Sequence, residues 1–478
     1  MTSTLDKPAP APLPPANRKG WMPQLLLRLH FYAAILVGPF ILVAATSGAL
    51  YALAPQIEQM VYADELRAPE ADSYLPLADQ IEAADAYVGD GQTIAAVRPA
   101  PNPGDTTRVM YADASLGESE TRAVFVDPAT ADIRGELTAY GTSGALPLRT
   151  WISQLHRNLH LGEVGRLYSE LAASWLGVIT LAGVALWVVR VRKARAKKDF
   201  VRPNRTAKGY RAILSWHTST GIWLAIGALF LAATGITWSA YGGTNVADLR
   251  AAANWSTPSL NTDLSGGAEV AHDDHAHHGG SGGGESTTGD VSPAAFDSVL
   301  SIAEEVNVNT GLVEIRPPAG AETAWVVQEI QRSFPTEVDA VAIDGQTLEV
   351  TDRVDFADYP FAAKLARWGI DTHQGSMFGL PNQIGLFITA LGIVAMVVWG
   401  YVMWWQRRPT REPRPLVGRA PARGALARAP WWGTAAVLVV AVAIGVFLPL
   451  LGWSLAAFVA VDLVLGAVQR RRAGVRSR

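Results

Sequence analysis

Residues 29–51 read LHFYAAILVGPFILVAATSGALY, an apolar stretch with a histidine at its start and a Thr-Ser-Gly sequence near its end. Residues 216–238 read WHTSTGIWLAIGALFLAATGITW and repeat this layout, with His217 at the start and Thr234-Gly235 near the end. Each stretch is long enough to cross a membrane, which takes about 20 mostly apolar residues. An ionisable ring at membrane depth is costly and is usually functional. The two stretches therefore predict membrane helices whose histidines have a shared purpose.

The composition is that of a membrane protein. The chain has 478 residues, of which 49% are hydrophobic and only 17% are charged, and it contains 16 tryptophans. These values are too apolar and too poor in charge for an ordinary soluble protein. There is no cysteine, which excludes disulfides, iron–sulfur clusters held by thiolates, cysteine zinc sites and covalent c-type haem.

Hydropathy and charge divide the chain into twelve segments. The first apolar stretch is expected to be an uncleaved anchor, because its apolar core is too long for a signal peptide. The segments are a disordered cytoplasmic N-terminus (1–27), TM1 (28–53), a first outer module (54–150), a histidine-bearing segment with TM2 (151–190), a basic loop (191–211), TM3 (212–240), a linker with a His-rich tract (241–292), a second outer module (293–360), a histidine-bearing segment with TM4 (361–406), a basic loop (407–430), a TM5–TM6 hairpin (431–469) and a basic tail (470–478).

Charge segregation predicts the orientation of these spans. Residues 190–211 hold 10 Lys/Arg and one acid, residues 407–428 hold 7 Arg and one acid, and residues 470–478 hold 5 Arg. By contrast, residues 54–148 hold 16 acids and 5 bases, and residues 242–377 hold 21 acids and 6 bases. Lys/Arg excess marks the cytoplasmic side, so both termini are expected inside and the two large segments outside.

The chain reads as a duplication. In each half, a helix that begins with a histidine ends in a Thr–Gly turn, an acidic outer segment follows, and a returning helix comes after a His-x-Gly sequence, His160-Leu161-Gly162 or His373-Gln374-Gly375. Helical periodicity at 76–88 and 294–306, each followed by β-rich runs, predicts small α+β modules outside the membrane. The predicted fold is a membrane α-helical bundle, with a four-helix core from a duplicated unit, a C-terminal helical hairpin and two extracytoplasmic α+β modules.

The histidines suit axial ligation of haem. His30 and His217 begin outward-running helices and are expected near the cytoplasmic face, whereas His160 and His373 precede inward-running helices and are expected near the outer face. A haem ligand must be a neutral imidazole facing a partner at the same depth, so two pairs predict two bis-His b-type haems stacked across the bilayer. His156 lies one turn before His160, and either residue is a candidate for the outer ligand. Proton relays and a metal-transport path are the alternatives for such histidines.

Two further groups of residues are candidates for binding. Arg28, Arg157, Arg166 and Arg211 lie near the histidines and are candidates to pair with haem propionates, although arginines that snorkel or set topology have the same sequence signature. The tract His272, His275, His277 and His278 lies in a glycine-rich linker. It is a candidate for loose binding of Zn, Cu, Ni or Fe, or a solvated segment without function.

Several segments resemble the PepSY-associated transmembrane family. They are residues 28–33 (RLHFYA), 151–166 (WISQLHRNLHLGEVGR), 216–221 (WHTSTG), 233–239 (ATGITWS) and 373–379 (HQGSMFG). The similarity covers roughly residues 20–408, and the hairpin 431–469 lies outside it. The resemblance implies that the outer modules are PepSY-like and that the protein is in the bacterial cytoplasmic membrane. It further implies kinship with iron-regulated membrane proteins and with haem-containing reductases of ferric siderophores.

The expected function follows from the histidines and the resemblance together. The chain is expected to carry electrons through two b-type haems to a ferric siderophore or other ferric chelate outside, as a ferric-chelate reductase serving iron uptake. No nucleotide- or flavin-binding motif is found, so electrons are expected from membrane quinol or a cytoplasmic reductase. The acidic outer segments disfavour nucleic acid as a partner. The competing hypothesis is a non-redox metal permease, an accessory factor, or a sensor whose PepSY-like modules bind a partner.

Overall fold

The computed structural model describes residues 20–194, 201–265, 291–309, 311–408, 418 and 420–476. The chain divides into two compact units. The first comprises Met1–Pro39, Ser174–Leu229 and Met396–Arg478, and the second comprises Phe40–Ala173 and Phe230–Ala395.

Long apolar helices dominate the described residues, where five are long and apolar enough to cross a membrane. They are α1 (Trp21–Val61), α5 (Gly162–Lys193), α6 (Tyr210–Thr237), α10 (Gly379–Gln406) and α12 (Pro449–Arg476). A sixth apolar helix, α11 (Trp431–Phe447), has 17 residues, at the short end of what spans a bilayer. The sequence predicts six spans, and five of them reach the full length.

Helix α1 extends beyond the predicted TM1 at both ends. The Thr46-Ser47-Gly48 segment therefore lies inside the helix, and the expectation that it ends the helix is wrong. The Thr46 hydroxyl donates to the carbonyl of Leu42, and the Ser47 hydroxyl donates to that of Val43, each at 2.8 Å. These bonds satisfy both hydroxyls within the helix, so the polar side chains do not interrupt it.

Short helices flank the apolar ones. They are α2 (Ala63–Leu66), α4 (Pro147–Asn158), α7 (Tyr241–Ala252) and α9 (Phe361–Gln374). Helix α7 falls in the segment read as a linker from its Gly-, Ser- and Asp-rich composition. Its first backbone N–H groups, those of Tyr241 and Gly242, donate to the buried carboxylate of Glu170 on α5, a tertiary cap that local sequence does not reveal.

One antiparallel sheet joins the two segments that were predicted to lie outside the membrane. Each segment contributes a helix and four strands: α3 (Leu77–Val88) with β1 (Thr93–Arg98), β2 (Thr107–Ala112), β3 (Glu120–Val126) and β4 (Ile133–Tyr140), and α8 (Pro293–Glu305) with β5 (Val313–Arg316), β6 (Trp325–Glu329), β7 (Ala340–Ile343) and β8 (Val350–Val354). The strand order is β4-β3-β2-β1-β5-β6-β7-β8. Strands β1 and β5 pair with Val97 opposite Ile315, so what was expected as two modules is one continuous sheet. Pairing at this junction protects two edges that would otherwise be open.

The core of this sheet lies beneath α3 and α8. Ile81, Phe296 and Ile315 are completely buried in one cluster, and burying a side chain of this size contributes about 1.5–3 kcal/mol. The carboxylate of Asp297 on α8 accepts hydrogen bonds from the backbone N–H groups of Leu77 and Ala78 at the start of α3. The two halves of the sheet therefore share one core.

Candidate functional site

The first unit brings His30 of α1 and His217 of α6 together. Their ring centroids are 6.3 Å apart, and the ring planes are inclined by 80°. Nδ1 of His30 lies 2.9 Å from the backbone carbonyl oxygen of Ile179 on α5, so an Nδ1–H tautomer donates there and leaves Nε2 available. Gly183 on α5 makes room for this ring, since a Cβ there would lie 3.2 Å from Cε1 of His30. Among the described residues, Nδ1 of His217 is buried without a hydrogen-bond partner.

The second unit brings His156 of α4 and His373 of α9 together. Their ring centroids are 6.5 Å apart, and the ring planes are inclined by 52°. The ring of Tyr51 stacks on His156, and Trp238 packs edge-on against His373. Gly48 of α1 lies directly beside His156, because a Cβ at this position would be 3.1 Å from Cε1 of the imidazole. These contacts hold both rings in fixed places.

His160 takes a different position from His156. Helix α4 ends at Asn158, and Leu159, His160 and Gly162 all adopt positive φ angles. The four-residue spacing suggested that the two histidines share a helical face, but they do not, because α4 ends between them and His160 lies in the turn that follows. His160 is exposed, and its ring lies 5.1 Å from that of Trp151. The structure thus pairs His156, not His160, with His373.

Two hydroxyl groups orient the imidazoles of the second unit. Ser47 Oγ lies 3.1 Å from Nδ1 of His156, and Thr234 Oγ1 lies 2.5 Å from Nδ1 of His373. Each hydroxyl donates its own proton to the carbonyl four residues earlier in its helix. The acceptor is Val43 for Ser47 and Phe230 for Thr234. The oxygen lone pairs are then the acceptors for the Nδ1–H of each imidazole. An Nδ1–H tautomer satisfies both contacts and would leave Nε2 of each ring for a ligand.

Burial favours the neutral form of both imidazoles of the second unit. Removal from water lowers the pKa of His373 to about 3, with a smaller contribution from the neighbouring His156. Removal from water also lowers the pKa of His156. A neutral imidazole is the form that binds a metal.

The spacing of each pair fits one metal ion between two imidazoles. Two nitrogens each about 2 Å from a metal ion lying between them would place their ring centroids about 6 Å apart. The observed distances are 6.3 Å and 6.5 Å. In the part of the chain that the structure describes, no cluster of three or more His, Asp or Glu side chains forms a metal site. Haem iron needs only axial ligands from the protein, so an imidazole pair at this spacing is compatible with haem.

Arg28 has its charge compensated within the first unit. It forms an ion pair with Asp462 of α12 and donates to the carbonyl of Pro421 at 2.8 Å. Arg423 also pairs with Asp462, at 3.1 Å. This carboxylate therefore attaches the C-terminal hairpin to α1.

The other candidate arginines have separate environments. Arg157 donates to the hydroxyl of Tyr140 at 3.1 Å. Arg166 forms an ion pair with Glu163 at 3.4 Å. Arg211 is exposed near the start of α6. The prediction that these side chains bind propionates therefore stays a prediction.

The His-rich tract lies outside the described residues. It comprises His272, His275, His277 and His278, and its predicted metal binding stays a prediction.

Sequence reasoning missed the contacts of Ser47, Gly48 and Thr234 with the histidines. The signal was present, because Ser47 follows His30 by 17 residues and Thr234 follows His217 by 17 residues. Nothing in the local sequence shows that an imidazole from a distant helix lies against these residues.

Comparison with known proteins identifies a family. A family model described as PepSY-associated TM region matches residues 27–407, well over half of the chain. No curated protein matches the chain.

Proposed function

We infer that this chain, which belongs to the PepSY-associated TM family, is a membrane haemoprotein that passes electrons to a ferric chelate outside the membrane. The observation that carries this proposal is the pairing of four histidines into two imidazole pairs, each with the spacing that one iron atom requires. His30 and His217 would hold one haem, and His156 and His373 would hold the other. Bound haem supplies reversible one-electron transfer.

The protein's own groups set up the ligands for this role. The carbonyl of Ile179 and the hydroxyls of Ser47 and Thr234 accept hydrogen bonds from Nδ1 atoms, which holds each ring in orientation and raises its basicity as a ligand. Aromatic side chains and glycines surround the rings, which limits access of water.

The matching spacings support a duplicated core. In each half, a hydroxyl residue follows the first histidine by 17 positions, and an aromatic residue that contacts the second histidine, Tyr51 or Trp238, follows by 21. The shared helix-plus-four-strand pattern supports a repeated outer module of the PepSY type. We further propose that both termini are cytoplasmic, because the basic segments require it, and that the membrane is the bacterial cytoplasmic membrane.

A haem held by His156 and His373 would supply the one electron that reduces the Fe(III) of the chelate to Fe(II). Fe(II) binds hard oxygen ligands more weakly than Fe(III), so reduction releases the metal for import. Membrane quinol or a cytoplasmic reductase would return an electron to the haem.

Absorption spectroscopy of the purified protein tests this proposal. We expect a Soret band and an α band that sharpens on reduction with dithionite. Anaerobic addition of ferric citrate or a ferric trihydroxamate should then reoxidise the haem while Fe(II) accumulates, whereas iron-free citrate should not. Absence of a haem spectrum would contradict the proposal and favour a non-redox role in metal transport or partner binding.

A further inference from the structure

A cavity of about 830 Å³ lies in the second unit. Its walls come from the sheet strands β6 and β7, from helix α9 and from the end of α6, and residues 257–263 also line it. This volume lies in the range of small-molecule binding sites, about 300–1,000 Å³.

Most of the basic residues of the acidic segment 242–377 line this cavity. Residues 242–377 contain 21 acids and only 6 bases, yet four of those bases line the cavity, namely Arg250, Arg316, Arg332 and Arg367. Only two of the acids line it, Asp263 and Glu329. Such a distribution favours an anionic ligand.

Arg332 is a candidate contact for an anionic ligand, because the hydrogen bonds that the structure shows for it go to neutral groups. Its guanidinium donates to Oε1 of Gln374 at 3.1 Å and to Oγ1 of Thr142 at 2.8 Å, and both acceptors are neutral. By contrast, Arg367 is paired with Asp371 at 2.9 Å and Arg316 with Glu314 at 3.6 Å.

The surroundings of Arg332 keep it charged but make a carboxylate partner favourable. Burial and the neighbouring Arg367 lower the pKa of Arg332 to about 10, although Asp371 raises it. The guanidinium is therefore still protonated at neutral pH. A carboxylate can accept two parallel hydrogen bonds from such a group.

The cavity shares its wall with the outer histidine pair. Thr234 and Trp238, both of which contact His373, line the cavity. Gln374, the residue that follows His373, lines it and also accepts a hydrogen bond from Arg332. A ligand in this cavity therefore lies against the side chains that touch the imidazole.

We propose that this cavity binds a carboxylate-bearing ferric chelate, with Arg332 as its main anionic contact. The inference rests on the proposed function, which makes a ferric chelate the electron acceptor, and it adds the chemical class of that chelate. Electron transfer favours an acceptor seated beside the outer imidazole pair, and the arginines select negative charge.

Binding of a redox-inert probe tests the assignment. Gallium(III) citrate should bind the purified full-length protein in a calorimetric titration, more tightly than a neutral gallium trihydroxamate. Arg332→Gln should weaken citrate binding at least about tenfold, as expected for the loss of a charge-assisted hydrogen bond, and Arg332→Lys should restore part of it. Arg353→Gln is the matched control, because Arg353 belongs to the same segment, is paired with Asp355 and does not line the cavity.

The possible outcomes separate the two proposals. Equal citrate affinity in wild type and Arg332→Gln overturns the assignment, and so does preferential binding of the trihydroxamate. A parallel loss of haem from Arg332→Gln also overturns it, because the guanidinium would then hold a propionate. Because gallium(III) takes up no electron, binding that depends on Arg332 supports the site even in protein without haem, whereas haem reoxidation by chelate without such binding leaves only the proposed function standing.

Discussion

At the scale of single residues, the tautomer of an imidazole depends on the group that forms a hydrogen bond with its Nδ1. Ser47 and Thr234 lie in different helices but make the same pair of bonds, one to their own helix and one to a histidine. With each hydroxyl proton donated to a helix carbonyl, the oxygen accepts from the Nδ1–H tautomer of the imidazole. A ligand that donates from Nδ1 becomes more basic, which stabilises ferric iron relative to ferrous iron.

Thr234→Val and Ser47→Ala should therefore raise the midpoint potential of the haem proposed between His156 and His373, without removing it. The loss of one hydrogen bond of about 1 kcal/mol corresponds to about 40 mV for a one-electron couple. A spectroscopic redox titration measures the shift. Thr46→Val is the matched control, because the Thr46 hydroxyl bonds only to the carbonyl of Leu42; equal potentials in all four proteins would count against the role of these hydroxyls.

The sequence predicts which residue types form the candidate site better than it predicts which of these residues contact one another. The four-residue spacing of His156 and His160 placed them on one helical face, but the helix ends at Asn158, and Leu159, His160 and Gly162 adopt positive φ angles. Choosing between the two histidines required the tertiary position of α4 relative to α9. The same holds for Ser47, whose partner lies 109 residues away.

At the scale of secondary-structure elements, glycines let helices approach the histidine rings. Gly48 of α1 faces Cε1 of His156, and Gly183 of α5 faces Cε1 of His30, so a Cβ at either position would press on an imidazole. Gly385 of α10 has open space around its Cβ position. Small residues commonly permit such close packing between membrane helices.

Gly48→Val and Gly183→Val should each displace one imidazole and lower haem content by about half. Steric crowding of a packed site typically costs 1–3 kcal/mol, enough to reduce haem retention through purification. Gly385→Val should retain wild-type haem content. Haem per protein, measured as the pyridine haemochromogen, checks all three variants, and full retention in the first two would refute the role of these glycines.

Elements differ in how well sequence predicts them. The long apolar helices could be predicted because a bilayer demands uninterrupted apolar length. The α3 and α8 helices also follow from periodicity and lie within a residue of the predicted ranges. The pairing of β1 with β5 could not be predicted, because these short strands are more than 200 residues apart and pair through tertiary contacts of the whole sheet.

At the scale of the whole molecule, the chain places one imidazole pair in each of its two compact units. Membership of the PepSY-associated TM family and five membrane-length helices define the class of protein. The two pairs define the proposed chemistry, and the arginine-lined cavity beside the second pair defines where an acceptor would bind. The histidine contacts, the helices that position them and the division into two units support one proposal, that four histidines hold two haems.

Haem stoichiometry in single histidine variants tests that claim most directly. The purified wild-type protein should contain two haems b per chain. His30→Ala and His373→Ala should each retain about one, because each removes an axial ligand from a different pair, whereas His160→Ala should retain both. Full haem content in His30→Ala and His373→Ala, or none in the wild type, would contradict the account.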